Sequence, residues 1–270
     1  MHTVLGFCCI SSLPEKRGAR DMDHFTLKVR RSMRDQDTDS TQAVYSVPMI
    51  AESMSVLDAM LWARGNLDST LAFRCACRVG MCGTCGVRIN GREGLACRTL
   101  VSTEIRYGGI VISVEPLRHL PVVRDLVTDP GNFYRRLTDV IPSFHPTDLD
   151  AAPVAIKPDS SERLTINPHR ECIYCGLCYS ACSMAGEDRE FLGPAAFNRA
   201  FALVSDSRDE AGTERMKAVD GRSGIWSCHT IFECTAVCPK GIPITQAIQG
   251  LKRKHFFKKV QSLFRLGRPS

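Results

Sequence analysis

The sequence predicts an α+β chain of two domains, a small mixed sheet with one helix followed by a mostly helical half. Three observations carry this. The chain has 270 residues, more than one small module needs. Apolar residues alternate with period two in several stretches before residue 115. Beyond Val122 they recur at helical spacing. In order, Phe25, Leu27 and Val29 alternate, then Ala43, Tyr45 and Val47, which reads as a hairpin. Ser55 stands before Val56, Leu57, Met60 and Leu61 as an N-cap before a helix that should stop near Gly65. Val87 to Ile89, the turn Asn90-Gly91, Leu95 to Cys97 and Ile110 to Val114 complete the sheet. Pro116 and Pro121 bracket a connector, and from Val122 the spacing turns helical through Leu126, Phe133 and Leu137. Ile141 to Pro168, rich in Pro and Asp, reads as a surface loop. Pro194 to Val204, Glu214 to Val219 and Ile244 to His255 read as helices. The expected division is an extension over 1–22, disordered or upstream of the true start, domains over 23–116 and 117–251, and a tail over 252–270.

Hydrophobic content of 44% and charged content of 24% exclude a mainly disordered chain. No apolar run approaches the roughly 18 residues that would cross a bilayer. Net charge is +6, and from Pro239 to Ser270 there are eight Lys or Arg and no Asp or Glu, so the whole excess lies in the tail. Such a block suits anionic headgroups, nucleic acid or a solvated helix end. Within it Ile248, Leu251, His255, Phe256 and Val260 recur at helical spacing with Lys252, Arg253, Lys258 and Lys259 between them, a pattern for an interfacial helix. Fourteen cysteines make up about 5% of the chain, below a disulfide scaffold, and residues 1–20 hold Cys8 and Cys9 but no secretory signal. Reduced thiols are therefore expected.

Spacing places the cysteines. Cys77, Cys82, Cys85 and Cys97 form C-x4-C-x2-C followed by eleven residues and a fourth Cys, the plant-type pattern for a [2Fe–2S] cluster. Gly80, Gly83 and Gly86 between them let a loop wrap closely and aim amide N–H groups at sulfur. A zinc site of four cysteines is the alternative, but it usually has two C-x2-C knuckles and only one is present. Cys75 is an extra thiol, either an alternative ligand or packed in the loop. Cys172, Cys175, Cys178 and Cys182 form C-x2-C-x2-C-x3-C, whose fourth Cys ligates the other cluster of a two-cluster domain. Cys228, Cys234 and Cys238 supply the partner group. Crossing assigns Cys172, Cys175, Cys178 and Cys238 to a [4Fe–4S] cluster and leaves Cys182, Cys228 and Cys234 for the other. Position 231, where a fourth thiolate would stand, is Ile231, so that cluster is expected to be [3Fe–4S]. No Gly-rich phosphate loop, nucleophile elbow or HExxH helix is found.

These residues resemble the iron–sulfur subunit of the succinate dehydrogenase and fumarate reductase family over about residues 24–255. Pro121 to Asp129, Gly193-Pro194-Ala195, Asp206-Ser207-Arg208-Asp209, Trp226-Ser227-Cys228 and Cys238-Pro239-Lys240-Gly241 share in the resemblance. It implies an N-terminal β-grasp plant-type ferredoxin domain and an all-α domain like bacterial ferredoxins. It also implies a partner flavoprotein that holds FAD and does the dicarboxylate chemistry, membrane-anchor subunits with or without haem, and a quinone at the anchor interface. Electrons would pass from flavin through [2Fe–2S], [4Fe–4S] and [3Fe–4S] to quinone, in a succinate:quinone oxidoreductase or, in reverse, a quinol:fumarate reductase. A freestanding ferredoxin carrier is the competing reading. The implied place is peripheral, on the cytoplasmic face of the cell membrane or the matrix side of the mitochondrial inner membrane, with no nucleic acid. His229 matches a histidine that lies between [3Fe–4S] and quinone in ubiquinone-reducing members, or packs on the cluster loop. Lys240 matches a lysine near quinone in some relatives, or faces solvent or phospholipid. Trp226 is expected beside the [3Fe–4S] ligands. After Cys182 the chain reads Ser183-Met184-Ala185-Gly186-Glu187 where ubiquinone-type relatives carry Pro-Ser and Trp residues, so the quinone pocket is expected to differ.

Overall fold

A computed structural model of the chain describes residues 24–32, 40–148, 150 and 154–266. The expected N-terminal extension, with Cys8 and Cys9, lies outside them. The chain divides into two compact units, one running to Pro116 and including Val122–Thr128, the other made of Leu117–Pro121 and everything from Asp129 on.

In the first unit β1 (His24–Arg31) pairs antiparallel with β2 (Thr41–Pro48), with Leu27 opposite Tyr45. β3 (Gly86–Ile89) and β4 (Arg92–Leu95) form the second hairpin, and β5 (Val111–Glu115) runs parallel to β1 and antiparallel to β3. The sheet order is β2-β1-β5-β3-β4. Alternation sends Phe25, Leu27, Val29, Ile112 and Val114 to one buried face, where each is at most 2% exposed. α1 (Val56–Asn66) lays Val56, Leu57, Ala59, Met60 and Ala63 into the core. Its start is fixed by a capping box. Ser55 Oγ accepts from the Asp58 N–H at 3.2 Å, and Asp58 Oδ2 accepts from the Ser55 N–H at 3.0 Å. α2 (Val101–Gly108), absent from the elements expected from sequence, precedes β5; its N-terminal flank Leu100 makes no side-chain cap, so no start signal marks it.

Two expectations are corrected. The helical spacing from Val122 is instead β6 (Val122–Arg124) and β7 (Val127–Thr128), joined through Asp125 at φ 50°. The Asp125 carboxylate, 2% exposed, accepts from the N–H of Ser32 at 3.3 Å and of Ala72 at 2.9 Å and pairs with Arg31 Nε at 2.9 Å. This buried ion ties the segment to the first unit, and seven residues are too few for apolar spacing to tell strand from helix. Helix resumes only with α3 (Gly131–Thr138). The second correction lies in the stretch read as loop to Pro168, where α4 (Ser161–Arg170) is capped by Ser160 Oγ, which accepts from the Arg163 N–H. Pro168 falls in the helix's last turn, so it marks the end of the helix, not its absence.

The second unit is built round α7 (Pro194–Val204), whose residues are nearly all buried. Against it pack α3, α4, α8 (Gly212–Val219) and α10 (Ile244–Leu266). Ala195, Ala196 and Ala200 allow close approach, as does Gly250 on α10, where an added Cβ would come within 2.4 Å of the Phe201 ring. α5 (Leu177–Ser180), α6 (Ser183–Glu187), a 3-10 turn (Ile225–Ser227) and α9 (Glu233–Ala236) are short pieces between cysteine-bearing loops. Arg215 and Asp209, both fully buried, pair with each other, and Arg215 also donates to the carbonyls of Ile141 and Ser143, which fastens the segment before α4.

Candidate functional site

Cys77 and Cys82 lie in the loop between α1 and β3, Cys85 one residue before β3 and Cys97 just after β4. The hairpin thus brings the fourth cysteine beside the loop. The N–H groups of Met81 and Cys82 both point at Cys77 Sγ at 3.3 Å. Hydrogen bonds from backbone N–H groups, Val79's first and then Cys82's, draw the Cys77 thiol down to about 6. Cys85, buried at 5% exposure, is pushed up to about 12 by burial, with Cys97 and Cys82 beside it. Gly80 and Gly83 take positive φ, as the wrap of the loop requires, whereas Gly86 opens β3. Cys75 is half-buried in the same loop.

In the second unit the seven remaining cysteines fall into neighbour groups. Burial raises Cys172, and Cys238 raises it further, opposed by the Tyr174 N–H and by Arg199. Cys175 is pushed up to about 11 by burial, then by Cys172 and Cys238. Cys178 is raised by burial first and then by Cys175, Cys172, Cys234 and Cys238. Burial likewise raises Cys182 and Cys234; Cys228 adds to both, and Cys182 adds to Cys234. The sequence-distant Cys238 thus stands near Cys172, Cys175 and Cys178, and Cys182 and Cys228 near Cys234, which also neighbours Cys178, so the two groups adjoin. Thiols that burial and mutual repulsion disfavour as anions become thiolates when bound to cationic iron, so the donor sets fit iron–sulfur clusters. Among the described residues no three His, Cys, Asp or Glu are close enough to hold a single metal ion. Thiolates surrounding a multi-iron cluster need not meet at one point.

Cys182, Cys228 and Cys234 line one cavity of about 120 Å³, together with His229, Ile231 and Thr245. The backbone there repeats the first cysteine run. Tyr174 and Gly176 flank Cys175 with φ of 52° and 78°, and Thr230 and Phe232 flank Ile231 with φ of 61° and 70°. α5 follows the first pair and α9 the second, and the two helices pack together. Ile231 therefore holds the place in this half that Cys175 holds in the other. Phe232 keeps the left-handed backbone without the glycine that makes it easy in the first half.

His229 is exposed at the cavity rim. Two other candidates are not among the residues that line it. Lys240 does not line the cavity; its Nζ is 3.8 Å from Glu171 Oε2. Trp226, 47% exposed, does not line it either, though Lys252, bonded to the Cys228 carbonyl, lies 5.9 Å from its ring. Its Nε1 donates to Asp220 Oδ1 at 2.8 Å, and its ring meets that of His255 edge-on at 5.8 Å. Sequence reasoning missed Lys252 and Thr245. Lys252 Nζ donates to the Cys228 carbonyl at 2.9 Å, and Thr245 Oγ1 lies 3.5 Å from Cys234 Sγ. Both sit on α10, outside the cysteine runs, and no local spacing signals them.

Sheet unit, helical unit and their thiol groups together define an iron–sulfur protein of two cluster-bearing domains. Residues 26–135 match the family described as a 2Fe-2S iron-sulfur cluster binding domain, and residues 169–242 the 4Fe-4S dicluster domain. A fumarate reductase iron-sulfur subunit from Mycobacterium tuberculosis is 36% identical over 234 residues, 86% of this chain and 92% of that protein. The mitochondrial succinate dehydrogenase [ubiquinone] iron-sulfur subunit 1 of Oryza sativa is 34% identical, covering 81% of this chain and 78% of that one. A chain of the Mycobacterium smegmatis Sdh1 complex in the apo form has a TM-score of 0.78 at 31% identity, over 88% of this chain and 98% of that chain. The chain belongs to the family of iron–sulfur subunits of succinate dehydrogenase and fumarate reductase, and is thus a subunit of an oxidoreductase. Among the described residues no helix is long and apolar enough to cross a membrane.

Proposed function

We propose that this subunit is the electron relay between an FAD-bearing flavoprotein and quinone held with membrane-anchor subunits, on the cytoplasmic or matrix face of the membrane. Cys77, Cys82, Cys85 and Cys97 would hold [2Fe–2S], Cys172, Cys175, Cys178 and Cys238 would hold [4Fe–4S], and Cys182, Cys228 and Cys234 would hold [3Fe–4S]. When bound, the clusters supply the one-electron carriers that a two-electron flavin and a quinone require between them. The chain's own residues set the surroundings. Backbone N–H groups of Met81 and Cys82 offset negative charge on Cys77, the apolar walls of the second unit keep water from Cys178 and Cys234, and His229 stands at the cavity rim as a group able to carry a proton. The mixed sheet with its single long helix supports the β-grasp ferredoxin reading of the first unit.

The observation that carries the proposal is the cavity that gathers Cys182, Cys228 and Cys234, with Ile231 where the other half has Cys175. Direction is a matter of flavin and quinone potentials, and the relatives above include both succinate dehydrogenases and fumarate reductases. The test is EPR on the anaerobically purified complex, with iron and sulfide counted. Three clusters are expected, one of them [3Fe–4S] and paramagnetic when oxidised. A colourless preparation, or one containing only zinc, would overturn the assignment.

A further inference from the structure

α10 changes character along its length. Its first two turns are core, with Ile244, Ala247, Ile248 and Leu251 each at most 2% exposed. From Lys252 on, one side of the helix lies against the segment 220–228 through Lys252 and His255, at i and i+3, both partly buried. Lys252 reaches the Cys228 carbonyl, His255 Nε2 is 3.1 Å from Asp220 Oδ1, and Lys259 Nζ is 3.8 Å from Asp220 Oδ2. These contacts settle which way the rest points. Arg253, Lys254, Phe256, Phe257, Lys258 and Lys259 are all exposed, the two phenylalanines at 58% and 60%. This corrects the stripe expected from spacing, since Ile248 and Leu251 belong to the core and His255 faces Asp220. Adjacent exposed aromatics ringed by cations, in a segment without a carboxylate from Pro239 to the C-terminus, do not make an ordinary solvated face.

We propose that the outer half of α10, centred on Phe256 and Phe257, docks on an anionic lipid surface. Arg253, Lys254 and Lys258 meet headgroup phosphates while the two rings enter the boundary between headgroups and acyl chains. Charge complementarity commits the face to this occupant, because cations alone would suit any anion, while a pair of bare rings among them suits one with an apolar layer beneath. The inward face, tied to Asp220, keeps the helix folded and aimed before it meets the membrane. The proposal stands independently of the electron-relay reading.

The test is co-sedimentation of the full chain, purified anaerobically, with vesicles of phosphatidylcholine alone or with phosphatidylglycerol in equal parts. The chain is expected to bind the anionic vesicles and be released by high salt. Each lysine near such a surface contributes about fivefold, so Lys254→Gln with Lys258→Gln should weaken binding about thirtyfold. Phe256→Ser with Phe257→Ser should weaken it while leaving its salt dependence in place. Circular dichroism and cluster absorbance, unchanged in all variants, show that the fold is intact. Failure of the wild type to bind phosphatidylglycerol vesicles, equal binding to both vesicle types, or unaltered binding by the lysine variant would each overturn the proposal; the first would point to an acidic protein surface instead.

Discussion

Ile231 shows how much one side chain decides. Its neighbours Thr230 and Phe232 hold the backbone in the conformation that presents Cys175 in the other half, so the same backbone carries a thiol there and an aliphatic side chain here. Ile231→Cys is therefore expected to admit a fourth iron, abolish the oxidised-state [3Fe–4S] EPR signal and lower the potential of that centre. Persistence of the signal in a folded variant would count against the ligand assignment. The cysteine count and the Ile at 231 were legible from sequence because they concern residue identity and local spacing. Lys252 was not, because its position against the Cys228 carbonyl follows from the packing of α10 and from nothing in its own surroundings along the chain.

At the scale of elements, the start of α7 is the most constrained point of the helical unit. Gly193 stands there with φ 88°, and a Cβ would meet the Tyr179 ring at 2.7 Å. Tyr179 cannot yield easily, since it is 3% exposed and packs edge-on against Phe133 at 5.7 Å. Gly193→Ala combines backbone strain with overpacking and should lower stability by about 3 kcal/mol. Denaturant unfolding of the cluster-loaded chain measures this, and a loss below about 0.5 kcal/mol would mean the turn can shift freely. The capping box at Ser55 and the helical composition of Pro194 to Val204 and Ile244 to His255 made α1, α7 and α10 readable in advance. β6, β7 and α4 were misread where a pattern was too short or where Pro and Asp content suggested a loop; the deciding contacts, such as Asp125 to Ser32 and Ala72, lie far off in sequence.

For the molecule as a whole, acid sensitivity should have a source in the sheet unit. Asp68 accepts from the Thr70 hydroxyl at 2.6 Å, from the Tyr45 hydroxyl at 2.8 Å and from the Thr70 N–H at 2.9 Å, and pairs with the Arg31 guanidinium. These partners, Thr70 first, hold its carboxyl well below the usual carboxylate range. A carboxyl lowered by folding stabilises the native state above its unfolded value near pH 4, and that stability is lost as pH falls toward the folded value. The thermal midpoint of the chain should thus fall below about pH 4, and Asp68→Asn should be less stable at neutral pH but show a shallower fall. An equally steep fall in the variant would place the acid sensitivity elsewhere. By itself the sequence determined the chemistry available: how many thiolates there are, at what local spacing, and where one is replaced by an aliphatic group, because these are properties of residue identity along the chain. Only the tertiary structure decided which distant groups stand beside them. It put Lys240 on Glu171, Lys252 on the Cys228 carbonyl and the bare rings of α10 outward, because those neighbours are selected by burial of whole helices and not by any short-range pattern.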